Sequence, residues 1–315
     1  MNVLVTGASG YIGTALCQEL VAKGHSVRGV GRTKIAPSNH FDYISFDLES
    51  DGVYELVKEH DCIVHLAGRA HMLGETASTS ADIYRQANSD LSVRLAKSAI
   101  EAGVKRFVFI SSIGVNGSFT HDRPFSESSM PDPTTPYAIS KYTAENELQA
   151  LVSESPMELV IIRPPLVYAG NAPGNFLRLI KLVSIGVPLP FGAVQNSRSM
   201  IALENLVDFI QVCMVHPAAA GELFVVSDNQ EFSTPEIVRY LAQGMHKNII
   251  LLPFFDSLMR VALPLFGKQS IYSQLYGSLV IDSSKARSLL DWTPPRDARQ
   301  CLIDAGNFFK SNVGK

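Results

Sequence analysis

The sequence predicts an α/β chain built on a doubly wound parallel sheet, with a smaller α/β lobe toward the C-terminus. Three observations carry this. First, short apolar runs recur at 3–5, 26–30, 43–46, 62–66, 106–111 and 158–163, as expected of strands covered on both faces. Second, segments of helical period lie between them at 14–23, 54–59, 82–102 and 136–151, the alternation that gives parallel βαβ units. Third, the rhythm loosens after Pro164. Residues 169–195 are rich in Pro and Gly, and two short strand-like runs, 199–203 and 223–227, flank a helical stretch at 206–216. The expected division is therefore a first lobe of residues 1–168, rejoined by part of 199–227, and a second lobe of 169–198 and 228–315. A chain of 315 residues is long enough for one large domain or two modest ones, each with its own core.

Composition removes several classes of function. The formal net charge is −3 with no cluster of Lys and Arg, which argues against a nucleic-acid-coating protein. The most apolar region, 249–267, is interrupted by Pro253, Asp256, Arg260 and Pro264, whereas a spanning helix needs about 20 mostly apolar residues. It reads as a buried helix or pocket lid, without stable membrane insertion. Cys17, Cys62, Cys213 and Cys301 are far apart and form no C-x-x-C pair, so they read as reduced core thiols and no metal site is expected. The chain enters its first apolar run at Val3 without the pattern of a signal peptide, and the expected location is cytoplasmic.

In such a sheet a ligand lies beyond the carboxyl ends of the strands, so the residues following each run are the informative ones. After the first run comes Gly7-Ala8-Ser9-Gly10-Tyr11-Ile12-Gly13, where small residues allow a tight turn and close approach of backbone to a pyrophosphate at a helix N-terminus. The spacing is G-x-x-G-x-x-G, one residue wider than the common dinucleotide fingerprint. The second run ends at Gly31-Arg32. An acid there would serve the ribose hydroxyls of NAD, whereas Arg32 suits the 2′-phosphate of NADP, so NADP(H) is favoured over NAD(H). Asp47-Leu48 closes the third run and would flank the adenine, unless Asp47 caps the next helix. Leu66-Ala67-Gly68 and Ser111-Ser112 follow the fourth and fifth runs; small residues there would let a cofactor lie across the sheet.

Tyr137 and Lys141 stand four residues apart in a helical stretch and so share a face. A nearby ammonium lowers a phenol's pKa from about 10 by about 1–3 units, toward acid–base work near neutrality. Spacing alone is weak, since ten Tyr and twelve Lys in 315 residues give about 0.4 such pairs by chance. Tyr54 and Lys58 form a second one, with no serine-bearing strand end before it.

Taken together, Gly7, Gly10, Gly13, Ser112, Tyr137 and Lys141 resemble the extended short-chain dehydrogenase/reductase superfamily, over essentially the whole chain and especially its nucleotide-sugar branch. The resemblance implies a Rossmann sheet, Tyr137 as acid/base, Ser112 on the reacting sugar oxygen, and Lys141 on the nicotinamide ribose. It further implies cofactor contact from the backbone of Ser111 and from Asn88, although Ser89-Asp90-Leu91-Ser92 departs from the family's usual continuation. Arg163-Pro164-Pro165-Leu166-Val167-Tyr168 resembles the family's turn at the nicotinamide, bringing in Pro164 and Val167, with Ala169 in place of Gly. Asn175-Phe176 resembles the element packed on the nucleotide, and Gln195 to Arg198 the strand whose Arg grips the diphosphate. A second family Arg is replaced by Leu275-Tyr276-Gly277-Ser278.

Within the branch the chain is most similar to bacterial 4-reductases of UDP-2-acetamido-2,6-dideoxy-hexos-4-uloses that serve surface polysaccharide synthesis, with UDP-hexose 4-epimerases as neighbours. The leading expectation is 4-keto reduction of a UDP-sugar. The alternatives are 4-epimerisation and a non-enzymatic NAD(P)-sensing module, for which Ser112, Tyr137 and Lys141 would have no use. The resemblance also implies a homodimer paired through the helices at 82–102 and 136–151.

Overall fold

A computed structural model describes residues 1–33, 41–69, 77–253 and 275–312, without the side chains of 77–80. Strands β1 (Asn2–Thr6), β2 (Ser26–Gly31), β3 (Asp42–Ser45), β4 (Cys62–His65), β5 (Arg106–Ile110), β6 (Glu158–Arg163) and β9 (Leu223–Val225) form one sheet. Its order is β3-β2-β1-β4-β5-β6-β9, and every pairing is parallel. This is the expected Rossmann-like fold. The chain winds outward from β1 to β3 and then crosses to β4, so a crevice opens at the carboxyl ends of β1 and β4.

The apolar runs are continuous because alternate residues serve opposite cores. Val3, Val5, Cys62, Val64, Val108 and Ile110 face one side, where α1 (Tyr11–Ala22), α7 (Leu203–Val215) and α9 (Ser284–Leu290) cover them. Leu4, Ile63, Phe107 and Phe109 face the other, under α2 (Val53–Val57), α4 (Leu91–Glu101) and α5 (Pro136–Val152). Both faces are dry, and all four cysteines are buried.

Several element bounds depart from the sequence reading for local reasons. The first helix starts at Tyr11 rather than 14, because Gly10 already takes the extended N-cap conformation. The helix expected over 54–59 stops at Val57, and Glu59 beyond it turns to φ 73°. The stretch 82–102 is two helices, α3 (Ala77–Arg85) and α4, joined through a π-helical turn at Gln86–Asp90.

The run expected at 199–203 is β8 (Arg198–Ala202). It lies in a separate sheet, parallel to β7 (Leu166–Tyr168) and antiparallel to β10 (Glu231–Phe232). From this part of the chain α7 and β9 pack with the large sheet. The small sheet shares a second core with α6 (Gly174–Ile185), α8 (Thr234–Gly244) and α10 (Ala298–Asn312). A capping box sets the start of α8: Ser233 Oγ and the Glu236 carboxylate satisfy each other's backbone amides. Of the apolar stretch 249–267, Leu251 bridges to Leu189, and residues from 254 lie outside the described part. Among the described residues no helix is long and apolar enough to cross a membrane.

Helices α8 and α10 touch backbone to backbone. A Cβ on Gly244 would stand 1.9 Å from the Ile303 carbonyl oxygen, and one on Gly306 would stand 2.2 Å from that of Leu241. A single methyl must push the helices apart, so Gly306→Ala should destabilise the fold by about 1–3 kcal/mol. Urea unfolding measures this, and an unchanged midpoint would show that the second lobe tolerates a wider crossing.

Candidate active site

The Gly7 turn closes on the end of β4. A Cβ on Gly7, whose φ is 73°, would stand 2.7 Å from the Ala67 nitrogen, and one on Gly13 would stand 2.2 Å from the Gly7 carbonyl oxygen. Helix α1 starts behind this turn with no side-chain cap. Its first intrahelical bond is Thr14 N–H to the Gly10 carbonyl (3.0 Å), so the amides of Tyr11, Ile12 and Gly13 have no intrahelical acceptor and are the donors a helix N-terminus offers to an anion. The Tyr11 ring packs instead between the two lobes' cores, and among the described residues its buried hydroxyl has no hydrogen-bond partner.

The crevice holds a cavity of about 240 Å³, bordered by Gly7, Gly10, Arg32, Asp47, Leu48, Leu66, Ala67 and Gly68. These donors and the absence of Cβ atoms fit the phosphates and adenosine of a dinucleotide. Ser9, Phe46, Glu49, Arg69 and Leu91 border it as well. None of these was singled out in the sequence, because a lone Ser, Phe or Leu near a strand end carries no distinctive pattern. Arg32 is exposed, and its carbonyl accepts from the Ser45 hydroxyl (3.1 Å). Asp47 accepts the Glu49 amide (3.1 Å), capping its own turn at the rim.

Further along the strand ends, Ser112 caps the short 3-10 turn Ile113–Val115. Its hydroxyl lies near the Tyr137 phenol of the first turn of α5 and favours the ionised phenol. Thr135 caps that helix through the Ala138 amide (3.1 Å), with Pro136 at its first position. Burial pushes the Tyr137 phenol above its usual range, and the nearby Ser112 hydroxyl offsets this only in part. The downward shift expected from Lys141 is not found: burial sets the direction, and Ser112 supplies the lowering contribution. Tyr84 packs edge-on against the same ring, with centroids 6.2 Å apart. The Lys141 ammonium is buried, donates to the Ile110 carbonyl (2.9 Å) and sits 4.6 Å above the Phe109 ring. Burial brings it down to about 8, against the opposing pull of Glu145.

Two residues expected at the cofactor have their polar groups committed within the protein. The Ser111 amide donates to the Ile162 carbonyl (2.7 Å) and its hydroxyl to Glu145, leaving its carbonyl as the group that could face a ligand. The Asn88 side chain accepts the Arg69 amide (2.7 Å) and donates to the Arg69 carbonyl (3.2 Å) and the Ser140 hydroxyl (3.0 Å). It clamps the strand-end loop to α5 rather than offering a free amide.

Pro164 is buried, with its carbonyl accepting the Ile113 amide (3.0 Å), and Val167 is half-buried in β7. Phe176 turns into the second core against Tyr168, away from any open surface, whereas Asn175 beside it is exposed. Arg198 is largely buried and donates to the Gly277 carbonyl (3.1 Å). The segment that lacks the second family Arg thus supplies backbone that orients this one.

Beneath the site His65 is fully buried. Its Nδ1 lies 2.6 Å from Thr6 Oγ1 and its Nε2 2.9 Å from Ser92 Oγ, while the Ser92 hydroxyl donates to the Asn88 carbonyl (2.7 Å). Since Ser92 has one proton to give, Nε2 carries the imidazole hydrogen and Thr6 donates to Nδ1. The ring is neutral and bridges the glycine turn to the π-helical turn.

The chain belongs to the NAD dependent epimerase/dehydratase family, whose model matches residues 3–227, within the nucleotide-sugar branch of the extended short-chain dehydrogenases/reductases. It is an enzyme of that type, epimerase or reductase, with a nicotinamide cofactor. It is 39% identical to the UDP-glucose 4-epimerase of Vibrio cholerae over 303 residues, covering 95% of this chain and 92% of that one. It is 27% identical to the N-acetyl-alpha-D-glucosaminyl-diphospho-ditrans,octacis-undecaprenol 4-epimerase of Escherichia coli O157:H7, covering 79% and 73%. In fold it is similar to the UDP-glucuronic acid 4-epimerase of Bacillus cereus solved with NAD, with a TM-score of 0.80 and 21% identity over 100% of both chains.

His65 provides a test of this buried layer. Burial holds its imidazole down at about 3, against 6.5 when free, with the Lys141 charge adding to the effect. Between those values the unfolded chain binds a proton that the folded chain does not, so stability falls as pH drops from 6.5 toward 3, at up to about 1.4 kcal/mol per unit. In His65→Gln, urea unfolding should show a slope shallower by the equivalent of one proton over that range, and an unaltered slope would assign the acid lability elsewhere.

Proposed function

We propose that the protein is a 4-epimerase of a UDP-linked hexose or 2-acetamidohexose. The observation that carries this reading is the 39% identity to a UDP-glucose 4-epimerase along 95% of the chain, joined to a Tyr137 phenol near the Ser112 hydroxyl and a buried Lys141 one turn along the same helix. It replaces the 4-keto reductase as the leading reading, because the named relatives above are 4-epimerases while the residues of the site serve either reaction.

The amides of Tyr11, Ile12 and Gly13, with Gly7 and Gly10, would hold the pyrophosphate. Asp47 and Leu48 would flank the adenine, and Leu66, Ala67 and Gly68 would line the path across the sheet. The Ser111 carbonyl, Pro164, Val167 and the Asn88 clamp would border the nicotinamide. Asn175 and Arg198 would take the UDP moiety, the guanidinium on the diphosphate, with Phe176 supporting them from the core.

The cofactor supplies hydride acceptance and return at sugar C4. Ser112 orients the C4 oxygen. Tyr137 takes the proton from that oxygen as C4 is oxidised and returns it as C4 is reduced from the other face. A phenol raised by burial needs positive charge to ionise, and the Lys141 ammonium, one turn along the same helix, would supply it once substrate and cofactor are bound. At the adenosine end, Arg32 in place of an acid supports a preference for NADP(H) over NAD(H). The exposed Ile83 and Ile139, on α3 and α5, support a homodimer paired through those helices, and the four buried thiols fit a reducing cytoplasm.

Tyr137→Phe should lower turnover by about 10²–10⁴-fold with retained dinucleotide unchanged; normal turnover would remove Tyr137 from its role. The reaction itself is read by purifying the protein, identifying the dinucleotide it keeps, and following UDP-glucose and UDP-galactose by NMR. Interconversion without net cofactor consumption is expected. Stoichiometric NADPH oxidation by a UDP-4-keto-6-deoxy sugar would instead restore the reductase. For the cofactor, Arg32→Ala should weaken NADPH by the ~1.5–3 kcal/mol of a charged hydrogen bond and leave NADH nearly unaffected. Equal losses would show that Arg32 does not read the 2′-phosphate.

A further inference from the structure

Glu145 lies one turn beyond Lys141 on α5 and is buried to 1% exposure against Arg163 at 3%. The Arg163 Nε donates to its Oε1 (2.9 Å), Nη2 to its Oε2 (2.5 Å), and Nη1 to Asn116 Oδ1 (2.9 Å). A buried ion pair is weak support for stability, since a well-packed apolar pair often serves as well. Its position is informative. The Lys141 ammonium donates to the carbonyl of Ile110, while the Ser111 hydroxyl donates to Glu145. A single helix therefore sets a cation and an anion on two consecutive residues at the end of β5, and the next residue is Ser112.

We propose that Glu145 is a positioning residue for the reaction: one turn beyond Lys141, its carboxylate pairs with Arg163, supplies the negative charge near the Lys141 ammonium, and holds the Ser111–Ser112 strand end at a fixed height on α5. This inference rests on the reading of Ser112, Tyr137 and Lys141 as the reacting set. The groups facing Lys141 are Glu145 from α5, neutral His65 from β4, the Phe109 ring and Ile110 carbonyl from β5, and Arg163 of β6 behind Glu145, with Tyr137 one turn earlier on α5. Glu145 is the anion of that set. Without it the ammonium would lose its nearby carboxylate and the Arg163 guanidinium would be left unpaired in the same dry layer, so Lys141 would lose its proton at lower pH. Removing Arg163 alone leaves the carboxylate and acts in the opposite direction.

The test is the pH profile of kcat/KM for sugar epimerisation by the full-length protein, using its alkaline limb. In Glu145→Gln the limb should move down by about one pH unit or more, and in the Glu145→Gln/Arg163→Met double variant it should return at least half way. A purely structural role predicts the double variant to be no better than the single. Should Glu145→Gln fail to fold, Arg163→Met decides, with the limb expected to move up by about half a unit or more. A limb that stays in place or moves down there overturns the proposal, as does a Glu145→Gln limb unchanged from the parent. Tyr137→Phe separates the two readings. If it is inactive while the limbs do not move, the reacting set stands and the role of Glu145 falls; if it is fully active, the reacting set falls and the role of Glu145 falls with it.

Discussion

A parallel sheet covered by helices on both faces leaves polar chemistry only the ends of its strands. Along β1, β4, β5 and β6 successive residues fill two apolar cores in turn, so a charged side chain in mid-strand would lose its hydration without a partner. At the carboxyl ends the ladders run out and backbone groups become available to side chains and ligands. Thr6, His65, Ile110 and Arg163 are the last residues of four strands, and each is tied to a hydrogen-bonded group of the site. The glycine turn, Ser112 and the Lys141 ammonium sit on this rim because the interior excludes them.

Confinement to the rim does not make the rim wet. Lys141, Glu145, Arg163, His65 and Asn88 are all nearly inaccessible, so each charge and donor is fixed by other protein groups rather than by water. Desolvation pushes the Tyr137 phenol up and the Lys141 ammonium down, and both shifts oppose a tyrosinate next to an ammonium. The arrangement works only if fixed dipoles and charges return what burial removes. The Ile110 carbonyl and the Glu145 carboxylate do so for Lys141, and Ser112 does so for Tyr137. Low dielectric strengthens those interactions, and it also makes any unpartnered group costly.

What was legible in the sequence follows from the range of the interaction that encodes it. The glycine turn and the Tyr137–Lys141 pair are written within seven and five residues, and local helix geometry turns their spacing directly into position. The strands of the large sheet were legible because burial on both faces leaves unbroken apolar runs. The partition of 199–227 was not, since β8 and β9 are both short apolar strands and differ only in which distant neighbour they join. Phe176 looked like a ligand contact by motif and is a core residue, because one turn of α6 carries both an exposed Asn175 and a buried face. Glu145 carried no signal: 18 residues separate it from Arg163 and 34 from Ser111, and nothing local marks a glutamate in a helix as buried.

The π-helical turn shows how these long-range demands reshape local structure. A regular helix through 82–102 would place Asn88 by helical period alone. The wider turn at Gln86–Asp90 lets its side chain reach both the Arg69 backbone and Ser140 while its carbonyl receives the Ser92 hydroxyl. Ser92 in turn holds His65, and His65 holds Thr6 at the start of the glycine turn. A π-helical turn persists where its surroundings favour it over the regular helix, and here three elements do so at once. The crevice behind the glycine turn and α5 are therefore joined by one chain of hydrogen bonds through Thr6, His65, Ser92, Asn88 and Ser140, so a change in the tautomer or charge of His65 would disturb both together.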